Sequence, residues 1–151
     1  MKIGIFALVA IFAATGSAVA DEKVDVMVPV RQFVDSYSRD DLQAIASACT
    51  DQTSIVFDVP PYEWHGPGAC ARWLEDARAE SIKLAITDAV AVLHKPRHII
   101  IRDGHAYVVA TVDFSYKIQG KRGKELGGTM VFVLQKSEGI WRIIGLTLAL
   151  L

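Results

Sequence analysis

The segment IWRIIGLTLAL, residues 140–150, is apolar at almost every position. The run MVFVL, residues 130–134, is apolar throughout as well. An antiparallel strand with one solvated face should alternate between apolar and polar residues, and neither segment does so. Both faces of these strands should therefore be covered. Helices can cover only one face, so we expect the other to meet a second copy of the chain in a homodimer.

The chain before this segment, back to Leu84, also predicts β-strands. Strand-like runs lie at 84–94, 97–102, 105–118 and 126–136. The breaks between them are short and rich in turn residues: Lys95-Pro96, Asp103-Gly104, Gly120 to Gly123, and Glu138-Gly139. Short breaks of this kind join antiparallel neighbours.

Three helices are predicted in the N-terminal half. The first, about residues 26–38, carries an apolar stripe that ends at Tyr37 and places Pro29 in the first turn. Asp40 can cap a short second helix. The third begins near Gly66-Pro67-Gly68 and buries Cys70, Trp73, Leu74 and Ala77. With a short strand at 54–59, this order predicts an α+β domain whose helices pack on one face of a mostly antiparallel sheet.

The first twenty residues have the anatomy of a secretory signal. Lys2 precedes an uncharged, mostly apolar run at 3–14, and the small residues at 16–20 end in Ala20. The run is shorter than the roughly twenty residues that a membrane helix needs. We expect cleavage after Ala20, a secreted or periplasmic protein without a membrane anchor, and one mature domain at 21–151.

Composition and spacing exclude several partners. The chain has 16 Lys and Arg against 17 Asp and Glu, a net charge of −1, which gives no reason to expect nucleic acid. His94 and His98 flank Pro96 in an extended segment, where four residues span roughly 13 Å, too far to share a metal ion. No glycine-rich phosphate loop occurs. We expect no metal and no cofactor.

Two cysteines, Cys49 and Cys70, remain in a chain predicted to reach an oxidising compartment. An even number of cysteines in that setting favours one disulfide. The alternative is a pair of buried free thiols.

Several local motifs, together with the first helix, are shared with one known superfamily: Arg39-Asp40-Asp41-Leu42, Phe57-Asp58, Trp64-His65-Gly66-Pro67 ahead of Trp73, and Gly139-Ile140-Trp141-Arg142-Ile143. Over residues 24–150 the chain resembles the nuclear transport factor 2-like superfamily, and within it the SnoaL-like and ketosteroid-isomerase-like branch. The resemblance implies a curved sheet wrapped against the helices in a cone-shaped, cystatin-like roll. It also implies an apolar pocket for a small molecule and dimers formed through the convex sheet face.

The resemblance assigns Asp58 the place of the general base of the isomerases. The tyrosine that these enzymes carry on the first helix falls on Phe33, and their late-strand acid falls near Val131 or Phe132, so ordinary steroid isomerisation is not expected. Tyr37, one helical turn beyond Phe33, could replace the tyrosine, or it could be a core residue. Asp58 could instead accept backbone hydrogen bonds in its turn.

His65 lies close to Asp58 in sequence, and the two could form an acid–base pair; the alternative is an exposed loop histidine. We expect a pocket lined by aromatic residues: Phe33, Tyr37, Trp64, Trp73, Phe114 and Tyr116. Asp113 belongs to the opposite face of its strand. Two functions remain open. One is an exported domain that binds a small, largely apolar molecule, with or without acid–base activity of the isomerase, cyclase or dehydratase type. The other is a non-catalytic dimerising or protein-binding module.

Overall fold

Seven strands form one sheet, and three helices pack against one of its faces. The computed structural model describes residues 15–150, with side chains from Val19 onward. The helices are α1 (Thr15–Arg39), α2 (Leu42–Ser47) and α3 (Ala69–Lys83). The strands are β1 (Cys49–Val56), β2 (Glu63–His65), β3 (Ile86–Leu93), β4 (His98–Arg102), β5 (His105–Ile118), β6 (Lys121–Ser137) and β7 (Ile140–Ala149).

Helix α1 buries the predicted stripe, including Val30 and Phe33, which are at most 1 % exposed. It begins eleven residues before the predicted start at 26, so Pro29 lies inside the helix and not in its first turn. Most of the predicted signal segment lies outside the described residues. Within residues 15–150, no helix is both long enough and apolar enough to cross a bilayer.

The connection between α1 and α2 corrects the predicted cap. Asp41 is the N-cap of α2, and its Oδ1 accepts a hydrogen bond from the backbone N–H of Ala44 at 3.0 Å. Asp40 instead has a φ of +58° and pairs with Arg78 on α3. The side chain nearest the helix in sequence supplies the cap, because only its oxygen can reach the orphan N–H groups of the first turn.

Helix α3 buries the predicted face of Cys70, Trp73, Leu74 and Ala77. Cys70 is joined by a disulfide to Cys49, the first residue of β1, with a Cα–Cα distance of 6.5 Å. The predicted bridge is therefore present in the structure. It connects α3 to the strand that lies beside β7, and this fastens the helical layer to the sheet.

The sheet has the order β2-β1-β7-β6-β5-β3. Strands β3 and β4 both pair with β5, β4 near its start and β3 near its end. All pairs are antiparallel except β1 and β7, which run parallel. The predicted α+β fold with a curved, mostly antiparallel sheet is confirmed.

The inner face of the sheet forms the core with the helices. Ala110, Met130, Phe132, Leu134 and Ile143 are at most 2 % exposed there. Val131 and Val133 on the outer face are only half-buried. The sheet is thus covered on one side within this chain, and the apolar outer side has no cover from the helices.

Candidate functional site

A cavity of about 440 Å³ lies between α3 and the inner face of the sheet, where the β5–β6 hairpin extends past the helices. Its walls come from α1, the loop after β1, α3, and strands β3, β5, β6 and β7. A volume of this size suits a small organic molecule. Most of its lining is apolar or aromatic, including Phe57, Ile86, Phe114, Ile118 and Leu148.

The floor of the cavity is an aromatic cluster centred on Trp73. Its ring stacks on Phe33 with centroids 4.9 Å apart and meets Phe57 edge-on at the same distance. Tyr37 lies 5.8 Å from it. Trp73 is 2 % exposed, and its Nε1–H has no hydrogen-bond partner among residues 19–150. The cluster holds Tyr37 rigidly against the cavity.

Tyr37 is the polar group at the base of the cavity. Its hydroxyl makes no hydrogen bond to any side chain or backbone group that the structure describes. Burial raises the pKa of Tyr37, and the negative charges of Asp58 and Glu125 raise it further. The hydroxyl therefore stays neutral at physiological pH and is free to donate a hydrogen bond to a bound molecule.

Asp58 is an exposed residue at the rim, two positions after the end of β1. The loop that follows is closed by backbone bonds alone: Phe57 N–H to the Tyr62 carbonyl at 3.0 Å, and Tyr62 N–H to the Val59 carbonyl at 2.7 Å. Within residues 19–150 the Asp58 carboxylate accepts no hydrogen bond from the loop. The alternative of a turn-forming aspartate is thus not supported by its contacts, and the carboxylate is available to the cavity.

Glu125 is a second carboxylate of the cavity, and sequence reasoning missed it. It lies on β6 opposite Phe114, and its Oε1 accepts a hydrogen bond from the Tyr116 hydroxyl at 3.2 Å. The Tyr116 ring lies over Gly123, where a Cβ would come within 2.5 Å of the ring carbon Cε2. Glycine at this position gives the ring its place beside Glu125.

A one-residue bulge directs Glu125 inward. Val112 pairs with Gly128, yet Phe114 pairs with Glu125, so two steps on β5 match three on β6. Gly127 sits in the bulge with a φ of +77°. The N–H of Gly127 donates a hydrogen bond at 2.8 Å to Oδ1 of Asp113, which lies on the outer face of β5. Without the bulge, strict alternation from the buried Gly128 would place Glu125 on the outer face.

The remaining predicted residues lie away from the cavity or behind it. Phe33 is 1 % exposed and packs beneath Trp73. Trp64 is buried, and its Nε1–H donates to Asp76 Oδ2 at 2.7 Å. His65 is exposed on β2, with its ring nitrogens near Ser54 Oγ at 3.0 Å and Glu63 Oε2 at 3.4 Å. His65 does not line the cavity with Asp58.

The structure does form a different aspartate–histidine pair, on the outer face. His94 Nε2 lies 2.7 Å from Asp113 Oδ2. The Gly127 N–H bond, followed by the hydrogen bond from His94, lowers the pKa of Asp113. Among the described residues, no group of three or more His, Cys, Asp or Glu side chains could hold a metal ion.

No family model and no curated protein matches this sequence. Solved structures match its fold. A nuclear transport factor 2-like protein with a cystatin-like fold from Novosphingobium aromaticivorans gives a TM-score of 0.74 at 10 % identity, covering 89 % of this chain and 85 % of that one. A candidate scytalone dehydratase from the same species gives 0.71 at 13 %, covering 89 % and 87 %. Hexachlorocyclohexane dehydrochlorinase LinA-type3 from Novosphingobium barchaimii LL02 gives 0.76 at 9 %, covering 90 % of each.

The chain thus has the cystatin-like fold of nuclear transport factor 2-like proteins. The expected resemblance is confirmed for the fold. Identities this low do not carry chemistry from one protein to another, because the same fold hosts unrelated functions.

Proposed function

We propose that this chain is an exported domain that binds a small, largely apolar molecule in the cavity and performs acid–base chemistry on it. One observation carries the proposal: three phenols and three carboxylates line a cavity of about 440 Å³ whose other lining residues, apart from Ser81, are apolar or aromatic. These polar residues are Tyr37, Tyr62, Tyr116, Asp58, Glu80 and Glu125. An apolar pocket with a few convergent polar groups is the usual form of a small-molecule site. A scaffold without a ligand has no need of such groups there.

The polar groups can divide a proton transfer between them. Asp58, whose carboxylate has no hydrogen-bond or ion-pair partner within residues 19–150, can take a proton from a carbon or hydroxyl of the bound molecule. The electron pair then moves towards an oxygen or a leaving group, and the Tyr37 hydroxyl can donate a hydrogen bond to the charge that develops. Burial of Tyr37 lowers the local dielectric constant and strengthens the hydrogen bond that its hydroxyl donates.

The names of two structural relatives agree with this type of chemistry. One is a candidate scytalone dehydratase and the other a dehydrochlorinase, and both names denote an elimination. An elimination begins with the removal of a proton by a base, the role proposed for Asp58. The proposed reaction class rests on the polar groups in the cavity of this chain, and the names of the relatives are consistent with it.

Export and dimerisation belong to the same proposal. The Cys49–Cys70 disulfide supports export, since structural disulfides persist in oxidising compartments. The outer sheet face supports a homodimer, because neighbouring strands place apolar side chains there that are 41–53 % exposed: Val56, Val90, Val92, Ile100 and Tyr107. Light scattering should give twice the monomer mass at micromolar concentration, and Val131→Glu should give the monomer. Wild-type protein that is monomeric under these conditions would contradict the dimer.

Binding in the cavity can be tested with the neutral fluorescent probe N-phenyl-1-naphthylamine. Wild type should bind it with a blue shift of its emission. Ala89→Phe, which fills the cavity from β3, should abolish the shift. Val92→Phe, on the outer face of the same strand, is the matched control and should bind normally. Equal binding by both variants would show that the probe lies elsewhere.

The acid–base role can be tested with 5-nitrobenzisoxazole, a neutral aromatic compound. Removal of the proton on C3 of its isoxazole ring by a base forms a nitrile, breaks the N–O bond and releases a coloured cyanonitrophenolate. Wild type should accelerate this reaction, and Asp58→Asn should lower the rate by about a hundredfold, the usual contribution of a positioned base. Asp51→Asn, an exposed aspartate outside the cavity, should leave the rate unchanged. A rate unaffected by Asp58→Asn would leave binding as the only supported role.

A further inference from the structure

The charged side chains that line the cavity all carry the same sign. Asp58, Glu80 and Glu125 are carboxylates, and no lysine, arginine or histidine is among the lining residues within 19–150. Lys83 Nζ lies 3.1 Å from Glu80 Oε2 and partly neutralises that group. Asp58 and Glu125 belong to none of the ion pairs in the described part of the chain. The cavity therefore presents uncompensated negative charge to its contents.

Two of the four basic residues near the tip of the β5–β6 hairpin, Lys117 and Lys124, act on carboxylates that do not line the cavity. Lys117 Nζ pairs with Asp88 Oδ2 at 2.7 Å. Lys124 acts on Asp113, whose pKa it helps to lower, and Asp113 lies on the outer face. Of the other two, Lys121 is the cross-strand partner of the cavity-lining Ile118, but neither Lys121 nor Arg122 is among the residues that line the cavity.

Aromatic rings supply the rest of the lining that a cation would need. Six of them face the same space: Tyr37, Phe57, Tyr62, Trp73, Phe114 and Tyr116. The face of an aromatic ring attracts a positive charge, most strongly where water is excluded.

We infer that the ligand of this cavity is an organic cation, an ammonium group carried on an apolar skeleton. The inference rests on the proposed function and names the ligand class of the same site. The carboxylates would balance the charge, the rings would surround the ammonium group, and the apolar walls would hold the skeleton. An anionic ligand of the same shape would meet Asp58 and Glu125 with the same sign of charge and bind more weakly.

Asp58 and Glu125 both influence the same part of the cavity, next to Tyr37. Both raise the pKa of the Tyr37 hydroxyl at the base of the cavity, after the effect of burial. Desolvation raises the pKa of Tyr116, and Glu125, which accepts a hydrogen bond from its hydroxyl, raises it further. A single ammonium group near Tyr37 could therefore interact with both carboxylates.

The test uses three probes with one skeleton: 4-phenylbutylamine, 4-phenylbutanol and 4-phenylbutyrate, which are cationic, neutral and anionic at pH 7. Isothermal titration calorimetry at low salt should show the amine binding about tenfold more tightly than the alcohol, and the carboxylate most weakly. The preference for the amine should shrink at 1 M salt. Ala89→Phe should abolish binding of the amine and the alcohol.

Charge variants then locate the preference. Asp58→Asn and Glu125→Gln should each lower the ratio of amine to alcohol affinity about threefold or more. Glu75→Gln removes an exposed carboxylate of α3 outside the cavity and is the matched control, with an unchanged ratio. Alcohol binding without a preference for the amine would overturn this inference and leave cavity binding intact. If none of the three probes binds, the proposed function falls with it. Amine binding that Ala89→Phe does not affect would also overturn the inference.

Discussion

Replacing Tyr37 by phenylalanine removes one oxygen atom from the cavity and leaves the ring in place. The ring contacts should persist, since Trp73 lies 5.8 Å from Tyr37 and Phe114 lies 6.0 Å from it. The hydroxyl has no protein partner within residues 19–150, so its removal leaves no other group unsatisfied. A hydroxyl that was desolvated without a bond contributes no net stability.

We therefore expect Tyr37→Phe to unfold at the same temperature as wild type or slightly higher. A core tyrosine with a satisfied hydroxyl would instead lose about 1 kcal/mol on this change, or roughly 3 °C in a domain of this size. The affinity for a ligand should fall in the same variant. Loss of one neutral hydrogen bond of about 1 kcal/mol should weaken the binding of 4-phenylbutanol about fivefold.

The pH dependence gives a second measure of the same group. The pKa of Tyr37 is raised above its ordinary 10.0, chiefly by burial. A raised pKa in the folded state means that stability is fully present below the unfolded pKa and is lost as pH rises through the folded one. Wild type should therefore lose stability relative to Tyr37→Phe as the pH is raised above about 10.

Thermal melts and calorimetric titrations of Tyr37→Phe and Tyr107→Phe measure these effects. Tyr107 is 41 % exposed on the outer face, so its variant loses the same atom away from the cavity and should match wild type in both assays. The reasoning is refuted if Tyr37→Phe melts several degrees below Tyr107→Phe and binds the alcohol normally. The hydroxyl would then be a structural group.

Mass spectrometry of the unreduced protein should show a mass two hydrogens lower than the reduced form, from the Cys49–Cys70 bridge; two thiols alkylated after denaturation would exclude it. Asp113→Asn should lower the free energy of unfolding at pH 7 and should match wild type in acid. The pKa of Asp113 is lowered in the folded state, so the stability that its carboxylate contributes is lost as the pH falls through the folded-state pKa. Urea melts across the pH range measure this difference. Gly123→Ala should displace the Tyr116 ring and weaken binding of the probes, whereas unchanged binding would mean that the ring adapts.

Local periodicity was sufficient to predict the α+β arrangement and part of the site, whereas the curved, cystatin-like roll was implied by the family resemblance. The helical spacing of Cys70, Trp73 and Ala77 identified the buried face of α3. The same rule placed Tyr37 on the inward stripe of α1, and alternation along β5 put Phe114 and Tyr116 on one face. These residues could be found because each position follows from the regular geometry of one element.

The missed features depend on contacts between elements. The parallel pairing of β1 with β7 joins segments about ninety residues apart, and no local pattern specifies it. His65 is near Asp58 in sequence, yet β2 turns it to solvent beside Ser54. Glu125 was missed because alternation read back from Phe132 assigns it to the outer face. Only the register of β6 against β5, with its bulge, places it inside.

The bulge at Gly127 should therefore determine the position of Glu125 in the cavity, although Gly127 itself does not line it. Gly127→Ala forces a side chain onto a backbone with a φ of +77°, which should cost about 1 kcal/mol. If the bulge relaxes to escape this strain, Glu125 leaves its position opposite Phe114.

Gly104 provides the matched control for that strain. It has a φ of +72° with nothing within 4 Å of the position that a Cβ would take, and it lies in the turn between β4 and β5, at the other end of the hairpin. Urea melts should show a similar loss of stability for Gly104→Ala and Gly127→Ala. Only Gly127→Ala should also reduce the preference for 4-phenylbutylamine over 4-phenylbutanol, as Glu125→Gln does. If both glycine variants prefer 4-phenylbutylamine to the same extent, Glu125 keeps its position without the bulge. The register of β6 would then not control the charge of the cavity.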